Sequence, residues 1–304
     1  MKKALFILTI IAAAILCGCS KFPTAPEESP ASISINVSMD EGLTKATADG
    51  DGAAANVNRC ILQIWNGDEL YKTIVRTAPA GTREYSFKGV ALNPEETYDF
   101  LFWADCGTAD GADLYYSTES LRNVTMLQAE RGNDDAADAF CNRVLGCRIE
   151  TEYETRLILH RPLAQLNFIT RDLSAIAGMV LAEVFVPKSI SYSCSGCAGF
   201  DVREGKSVGE PVHISVNDAP IYGKIGEDGS CTLAMTYFFP QSGESVSAVD
   251  MKVRGENDAV ISASCDNVPF KANYRTNIIG NLLTAEGEFS VSISPIFDGE
   301  ITEW

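Results

Sequence analysis

Histidine is scarce in this sequence, and its scarcity limits the chemistry that the chain can support. The 304 residues include only two histidines, His160 and His213, and they are too far apart in sequence to form a paired metal-ligand motif on one element. The sequence therefore offers few imidazole ligands for a zinc site and few imidazole groups for catalysis. We expect a protein that is not an enzyme and needs no cofactor or metal.

Basic residues are also in the minority. Lysine and arginine number 24 against 41 acidic residues, which gives a formal net charge of −17. Such a balance opposes binding to nucleic acid and to anionic lipid surfaces. We therefore expect no nucleic-acid partner.

The N-terminus carries an apolar run that is too short to span a bilayer. Lys2 and Lys3 precede the run 5–16, and small residues follow it, which is typical of an export signal over 1–18. Leu16-Cys17-Gly18-Cys19 fits a bacterial lipobox and predicts that Cys19 becomes a lipidated N-terminus. An ordinary cleaved signal with two incidental cysteines is the alternative. Several acyl chains on one cysteine would hold a soluble domain at a membrane.

Sustained helical periodicity is almost absent, whereas short strand patterns are frequent. Apolar and polar residues alternate over 33–39, and Asn66-Gly67-Asp68 separates two apolar runs at 58–65 and 70–77, which predicts a hairpin. Short helical turns are expected at 134–140 and 172–179. The other expected strands are 84–90, 97–104, 124–127, 144–149, 180–186, 189–193, 212–216, 231–239, 245–253, 259–265, 274–283 and 289–294. This pattern predicts an all-β fold made of sandwiches.

The stretch 155–170 (TRLILHRPLAQLNFIT) marks the expected domain boundary. Pro162 divides its apolar residues, and proline belongs at a strand start, an edge or a bulge. We therefore predict one strand that ends near His160 and another that begins near Leu163. The predicted organisation is a signal at 1–18, a Pro/Ser/Glu-rich tether at 19–32, and β-sandwich domains at 33–160 and 161–304.

Two further groups of residues allow more than one interpretation. Cys194-Ser195-Gly196-Cys197 fits a tight disulfide, a pair of packed thiols or half of a metal site better than a redox-active motif, which needs a helix N-terminus. Trp65, Trp103, Tyr115 and Tyr116 could form an aromatic platform for a glycan. Packing in a core is the favoured interpretation of these four aromatic residues.

The sequence resembles the fimbrillin-like surface lipoproteins of Gram-negative anaerobes of the gut and mouth. The segments that carry the resemblance are the lipobox before Cys19, 43–47 (LTKAT) behind the first strand, 161–168 (RPLAQLNF) and 271–278 (KANYRTNI). An uncharacterised branch of that family also shares 102–105 (FWAD) and 295–298 (PIFD). The match extends over nearly the whole chain beyond the signal.

The resemblance implies two tandem transthyretin-like β-sandwich domains on a lipid anchor at the outer membrane, exposed on the cell surface. In polymerising members, a protease cuts behind the first strand, and a strand of a neighbouring subunit fills the groove that is left. Here the lost strand would be 33–39 and the cleavage would follow Lys45, where many members have arginine. The implied function is a structural or adhesive subunit, as shaft, tip or anchor, that binds other fimbrial subunits. A lipid-anchored module that binds a glycan or another host surface ligand is the alternative.

Overall fold

The computed structural model describes residues 31–39, 54–173, 185–223, 230–241, 245–283 and 289–294. These residues lie mostly in β-strands, and a 3-10 turn at Asp135–Ala137 is the helical element among them. The predicted all-β class is confirmed. The strands are β1 (Ala31–Met39), β2 (Arg59–Asn66), β3 (Glu69–Thr77), β4 (Glu84–Leu92), β5 (Thr97–Asp105), β6 (Tyr116–Ser117), β7 (Val124–Met126), β8 (Ala139–Arg148), β9 (Glu152–Leu159), β10 (Ala164–Thr170), β11 (Pro187–Asp201), β12 (Lys206–Pro220), β13 (Cys231–Phe238), β14 (Ser245–Gly255), β15 (Val260–Phe270), β16 (Arg275–Gly280) and β17 (Phe289–Ser294).

The first two sheets enclose one hydrophobic core. Sheet 1 has the order β4–β1–β9, and sheet 2 has the order β3–β2–β5–β8. The β2–β3 hairpin turns at Gly67, whose φ of 58° suits glycine. Inward side chains of the two sheets meet in a shared cluster, where the rings of Phe87 and Phe102 have centroids 5.8 Å apart. This arrangement is a β-sandwich.

The other two sheets enclose a second core. Sheet 3 has the order β15–β14–β11–β7–β6, with β12 paired to the other edge of β11, and sheet 4 has the order β13–β10–β16–β17. Phe168 from sheet 4 packs against Tyr192 from sheet 3, with ring centroids 5.0 Å apart. The short strands β6 and β7 come from the first half of the chain but pair within sheet 3. The two sheet pairs are thereby connected through backbone pairing as well as through the linker.

The two sandwiches share one local topology around their first strands. In sheet 1, β1 pairs antiparallel with β4 and parallel with β9. In sheet 4, β10 pairs antiparallel with β13 and parallel with β16. A strand with one antiparallel and one parallel neighbour therefore begins each sandwich.

A third hydrophobic cluster lies between the two sheet pairs. It includes Trp103 and Tyr116 from the first half and Leu163, Phe200 and Phe239 from the second. The rings of Trp103 and Phe239 have centroids 6.4 Å apart. This apolar contact restrains the orientation of one sheet pair against the other.

The strand boundary around Pro162 agrees with its prediction, since β9 ends at Leu159 and β10 begins at Ala164. Arg161, just before the proline, is fully buried and forms a two-pronged ion pair with Asp138, with Nε–Oδ1 at 2.6 Å and Nη2–Oδ2 at 2.7 Å. Its guanidinium also lies 4.8 Å from the centre of the Phe140 ring. The linker between the strands is thus fixed by a buried charge pair.

Several predicted strand lengths are wrong. β11 and β12 are each 15 residues long, whereas short strands were expected at 189–193 and 212–216. The glycines of this segment suggest, in the sequence, that the strand ends. In the structure they allow close packing within it, because a Cβ at Gly196 would lie 2.9 Å from the Phe239 carbonyl oxygen. β8 likewise begins at Ala139 rather than at 144. The helical turn predicted at 172–179 and the strand predicted at 180–186 fall largely outside the described residues.

Candidate functional site

Strand β1 is the candidate site, because it is the central strand of sheet 1. Its register with β4 runs from Ala31 opposite Leu92 to Ser38 opposite Glu84, and its register with β9 runs from Ser32 opposite Glu152 to Met39 opposite Leu159. Removal of β1 would leave β4 and β9 about 10 Å apart with unpaired edges facing each other. The strand therefore occupies a groove with two hydrogen-bonding walls.

The floor of this groove is apolar, and β1 fills it with every second side chain. The inward side chains are 0–2% exposed, whereas the four outward ones are half-buried. The inward set is Ala31, Ile33, Ile35, Val37 and Met39. Burial of the four larger members stabilises the fold by on the order of 6–12 kcal/mol as an upper estimate. The alternation predicted for 33–39 is confirmed, and the strand starts two residues earlier.

No charged residue or cysteine occurs in β1, whose sequence is ASISINVSM. It therefore forms neither ion pairs nor disulfides, and its side-chain hydrogen bond to a neighbour is the one that Asn36 Oδ1 accepts from the Ser86 hydroxyl at 2.8 Å. A β-bulge at Gly89 of β4, which has a φ of 65°, lies opposite Ile33 and Ser34 of β1. Backbone pairing and apolar burial hold the strand in place.

Cys19 and Lys45, the predicted lipidation and cleavage sites, lie outside the described residues. The described chain stops at Met39 and resumes at Ala54, and both of these residues are buried. Among the described residues there is no helix with the length and apolarity that crossing a membrane requires.

Cys194 and Cys197 are free thiols on the continuous strand β11. Residues three apart on a strand are about 10 Å apart and face opposite sides, which is beyond the reach of a disulfide. Cys194 belongs to the core of the second sandwich, and Cys197 belongs to the cluster between the sheet pairs. Burial raises the pKa of the Cys194 thiol to about 12 and also raises the pKa of Cys197. Packed thiols, one of the interpretations of this motif, describe this geometry.

The four aromatic residues considered as a glycan platform are buried. Trp103 and Tyr116 are 0% exposed, and Trp65 and Tyr115 are 8% and 7% exposed. All four belong to the cluster between the two sheet pairs. The interpretation of these residues as core packing is confirmed, and they provide no surface for a sugar.

Neither histidine joins a group of possible metal ligands. His160 forms an isolated bridge with Cys141, and His213 lies opposite Ser195. Within the described ranges, no cluster of three or more His, Cys, Asp and Glu side chains is arranged for a metal ion.

One sequence pattern of hydrolases occurs in the wrong structural context. Residues 205–209 read Gly-Lys-Ser-Val-Gly, and in α/β-hydrolases this pattern places the serine on a turn between a strand and a helix. Here Ser207 is 9% exposed and lies near the start of β12, just after a turn between two strands. The serine is therefore part of a hairpin.

A second feature, which was not predicted from the sequence, is a pocket on the outer face of sheet 3. It is shallow, with a volume of about 410 Å³. Polar side chains from four strands line it, and serines occupy alternate positions on two of these strands, β11 (Ser191, Ser193) and β15 (Ser262, Ser264). We call it the serine trough, and the residues that define it are Ser193, His213, Ser215, Asp250, Lys252 and Ser264. The alternation of serine in 189–195 (SISYSCS) is the signal that could have identified it.

Comparisons with known proteins identify a shared fold and a family for this chain. A search of curated proteins gave no match. The fimbrilin of Porphyromonas gingivalis W83 superposes with a TM-score of 0.52 at 10% identity, over 90% of this chain and 99% of that chain. The fimbrial anchor protein Mfa2 from Porphyromonas gingivalis gives a TM-score of 0.46 at 13% identity, over 83% and 91% of the two chains. The fimbrilin shares the fold. The model of a family of unknown function, DUF6562, matches residues 23–304, and the chain therefore belongs to that family.

Proposed function

We propose that this protein is a non-catalytic structural or adhesive subunit of a fimbrial type, held at the cell surface by a lipid. The observation that carries the proposal is the construction of β1. It is the central strand of a sheet, it fills an apolar groove with alternate side chains, and no charge or covalent bond secures it. The fold shared with a fimbrilin supports the same role.

The assembly step in this proposal is strand exchange. Cleavage after Lys45 would separate β1 from the rest of the chain, and its release would open the groove between β4 and β9. An exposed apolar floor between two unpaired strand edges is unstable in water. A strand from a neighbouring subunit would restore both hydrogen-bonding ladders and the buried surface, which is β-augmentation.

The anchoring step in this proposal is lipidation of Cys19 at the outer membrane. The tether predicted at 19–32, whose last two residues belong to β1, would then separate the strand from the membrane surface. In this arrangement, sandwich domains at 33–160 and 161–304 form the exposed part of the subunit. Its partners are the outer membrane, through the lipid, and other fimbrial subunits.

Proteolysis of the purified full-length chain tests the assembly step. We expect a lysine-specific protease to yield a product that begins at Ala46 and elutes as high-molecular-weight material in size-exclusion chromatography. Lys45→Gln, in which the cleaved residue is replaced, should stay intact at this position and remain monomeric. A product that begins at Ala46 and lacks β1 but stays monomeric would contradict strand exchange.

Membrane fractionation tests the anchoring step separately. Cys19→Ala should move the protein from the membrane fraction to the soluble fraction, because the acyl chains are lost. Cys17→Ala is the matched control and should stay with the membrane. Retention of the Cys19 variant on membranes would refute lipidation at this residue.

A further inference from the structure

The serine trough has a regular construction that the fold sets. One row of side chains crosses four neighbouring strands, because Ser264 on β15 lies opposite Asp250 on β14, Asp250 opposite Ser193 on β11, and Ser193 opposite Ser215 on β12. The intervening residues Tyr192 and Met251 are buried in the core of the second sandwich. The trough is therefore a surface on a rigid sheet.

The groups that line the trough suit hydrogen bonding to hydroxyl groups. The Asp250 carboxylate accepts a hydrogen bond from the Ser264 hydroxyl at 2.5 Å and keeps further acceptor positions. Lys252, two residues along the same strand face, is exposed and has no ion-pair partner among the described residues. His213 and the serine hydroxyls add groups that both donate and accept. Together they can donate to and accept from adjacent hydroxyls on one ligand.

The volume of the trough and its charge restrict the class of ligand further. The volume of about 410 Å³ lies in the usual range of small-molecule sites. The charges of Asp250 and Lys252 offset each other at the trough, whereas the whole chain has a net charge of −17. That net charge repels polyanions but does not oppose a neutral ligand rich in hydroxyls.

We infer that the serine trough binds a neutral carbohydrate. The glycan site expected from the sequence was a platform of Trp65, Trp103, Tyr115 and Tyr116. These residues are buried and have no part in the trough, which is a different surface. Tyr192, beneath the trough, is only 3% exposed, so it offers the sugar no open face for stacking, and we expect a dissociation constant on the order of 1 mM for one site. Many copies on one surface would raise the overall avidity by about 10²-fold or more.

The test is binding of the purified full-length chain to an array that carries both neutral and sulfated oligosaccharides, followed by calorimetric titration with the strongest neutral hit. Asp250→Ala and Lys252→Ala should each weaken binding by about 10-fold to 100-fold, because each removes a charge-assisted hydrogen bond. Ser193→Trp should abolish binding by filling the trough. Glu210→Ala, an exposed change on β12 outside the trough, is the matched control and should leave binding unchanged.

Three results would overturn the inference: no hit on the array, a hit whose affinity the trough variants leave unchanged, or binding restricted to sulfated glycans that disappears at high salt. Asp250 and Lys252 are exposed, so their variants should fold even if Ser193→Trp does not. Strand exchange at β1 does not involve the trough. Variants that lose the carbohydrate should therefore still assemble after cleavage, and failure of one proposal leaves the other standing.

Discussion

Strands β1 and β10 occupy equivalent places in their sandwiches but differ on their outward faces. Each has an antiparallel neighbour on one side and a parallel neighbour on the other. The outward residues of β1 are half-buried, whereas those of β10 are buried with one exception. Gln165 Oε1 accepts from Arg275 Nε at 2.8 Å, and Asn167 Nδ2 donates to Asn277 Oδ1 at 2.8 Å.

The comparison separates two ways to hold a strand. β10 is fixed on both faces, by apolar packing on one side and by matched polar groups on the other. β1 is fixed mainly on its apolar face, with one exposed side-chain hydrogen bond, from Ser86 to Asn36, on the other face. A strand with a similar apolar pattern could therefore replace it. A buried polar network resists such replacement, because a new strand would have to satisfy every group in it. The following variants test this difference, from the largest expected effect to the smallest.

Removal of the charge pair before β10 should have the largest effect. Arg161→Met leaves the buried Asp138 carboxylate without its ion-pair partner and with the hydrogen bond from the Ala139 backbone N–H, and we expect a loss of about 3–5 kcal/mol in the free energy of unfolding. Arg148→Met is the matched control, because its pair with Glu95 spans 3.2 Å and both side chains are more than half exposed. Chemical denaturation should show a loss for the control of at most about 1 kcal/mol. Equal losses would show that the linker is not fixed by this pair.

The apolar faces of the two strands should respond alike. Ile35 in β1 and Leu166 in β10 are both 0% exposed, so each change to alanine should cost about 2–5 kcal/mol in denaturation experiments. A much smaller loss for Ile35→Ala would mean that β1 is loosely held on its inward face as well. The comparison would then extend to both faces of the strand.

The polar faces should respond differently. Asn167→Ala leaves the buried Asn277 side chain without its partner and should cost about 1–3 kcal/mol. Asn36→Ala, at the centre of β1, removes an exposed hydrogen bond to Ser86 and should cost about 0.5 kcal/mol or less. Thermal and chemical denaturation of the two variants give the comparison directly. Similar losses at both positions would refute the difference between the strands.

The free energy of unfolding should depend on pH through Asp135, which contacts Tyr222. β1 should contribute no such dependence, because it has no titratable side chain. Burial raises the pKa of the Asp135 carboxyl, which accepts a hydrogen bond from Tyr222. Because the folded state holds this proton more tightly, Asp135 contributes stability at low pH, and that contribution falls as pH rises from the ordinary carboxyl pKa to the raised one.

Asp135→Asn should remove the decrease in stability that accompanies the rise in pH, because asparagine does not titrate. The measurement is the difference in unfolding midpoint between the native chain and the variant, from about pH 3 to about pH 7. We expect the native chain to lose stability relative to the variant as pH increases, by at most about 1.4 kcal/mol per pH unit. A constant difference would show that Asp135 titrates normally in the folded protein.

The sequence was informative where one side of a strand faces a core and the other faces water. The alternation of 33–39 identified β1, Asn66-Gly67 located the hairpin, and Pro162 located the space between β9 and β10. These features depend on neighbouring residues in the chain, so local patterns are enough to find them. The inward side chains of β1 followed from the same alternation.

Contacts between distant segments could not be predicted in this way. Arg59 appears as an ordinary charge in the sequence, yet it is 1% exposed and its Nε lies 2.5 Å from Asp105 Oδ1. Arg161 and Asp138 are 23 residues apart in the chain, and they meet where the backbones of Cys141 and His160 pair, beside the start of β8 and the end of β9. The serine trough requires four strands to stand side by side, and an order such as β15–β14–β11–β12 is not encoded in any one of them.

The direction of β1 has a mechanical consequence. β1 runs from Ala31 to Met39, so a force applied at Ala31 and directed away from Met39 acts along the axis of the strand. The ladders to β4 and to β9 lie on the two sides of β1 over nearly its full length. A force in that direction would have to shear both rows of hydrogen bonds together rather than open them one at a time. The intact protein should therefore resist a pull on the N-terminal end of β1, although loss of the same strand would expose its groove.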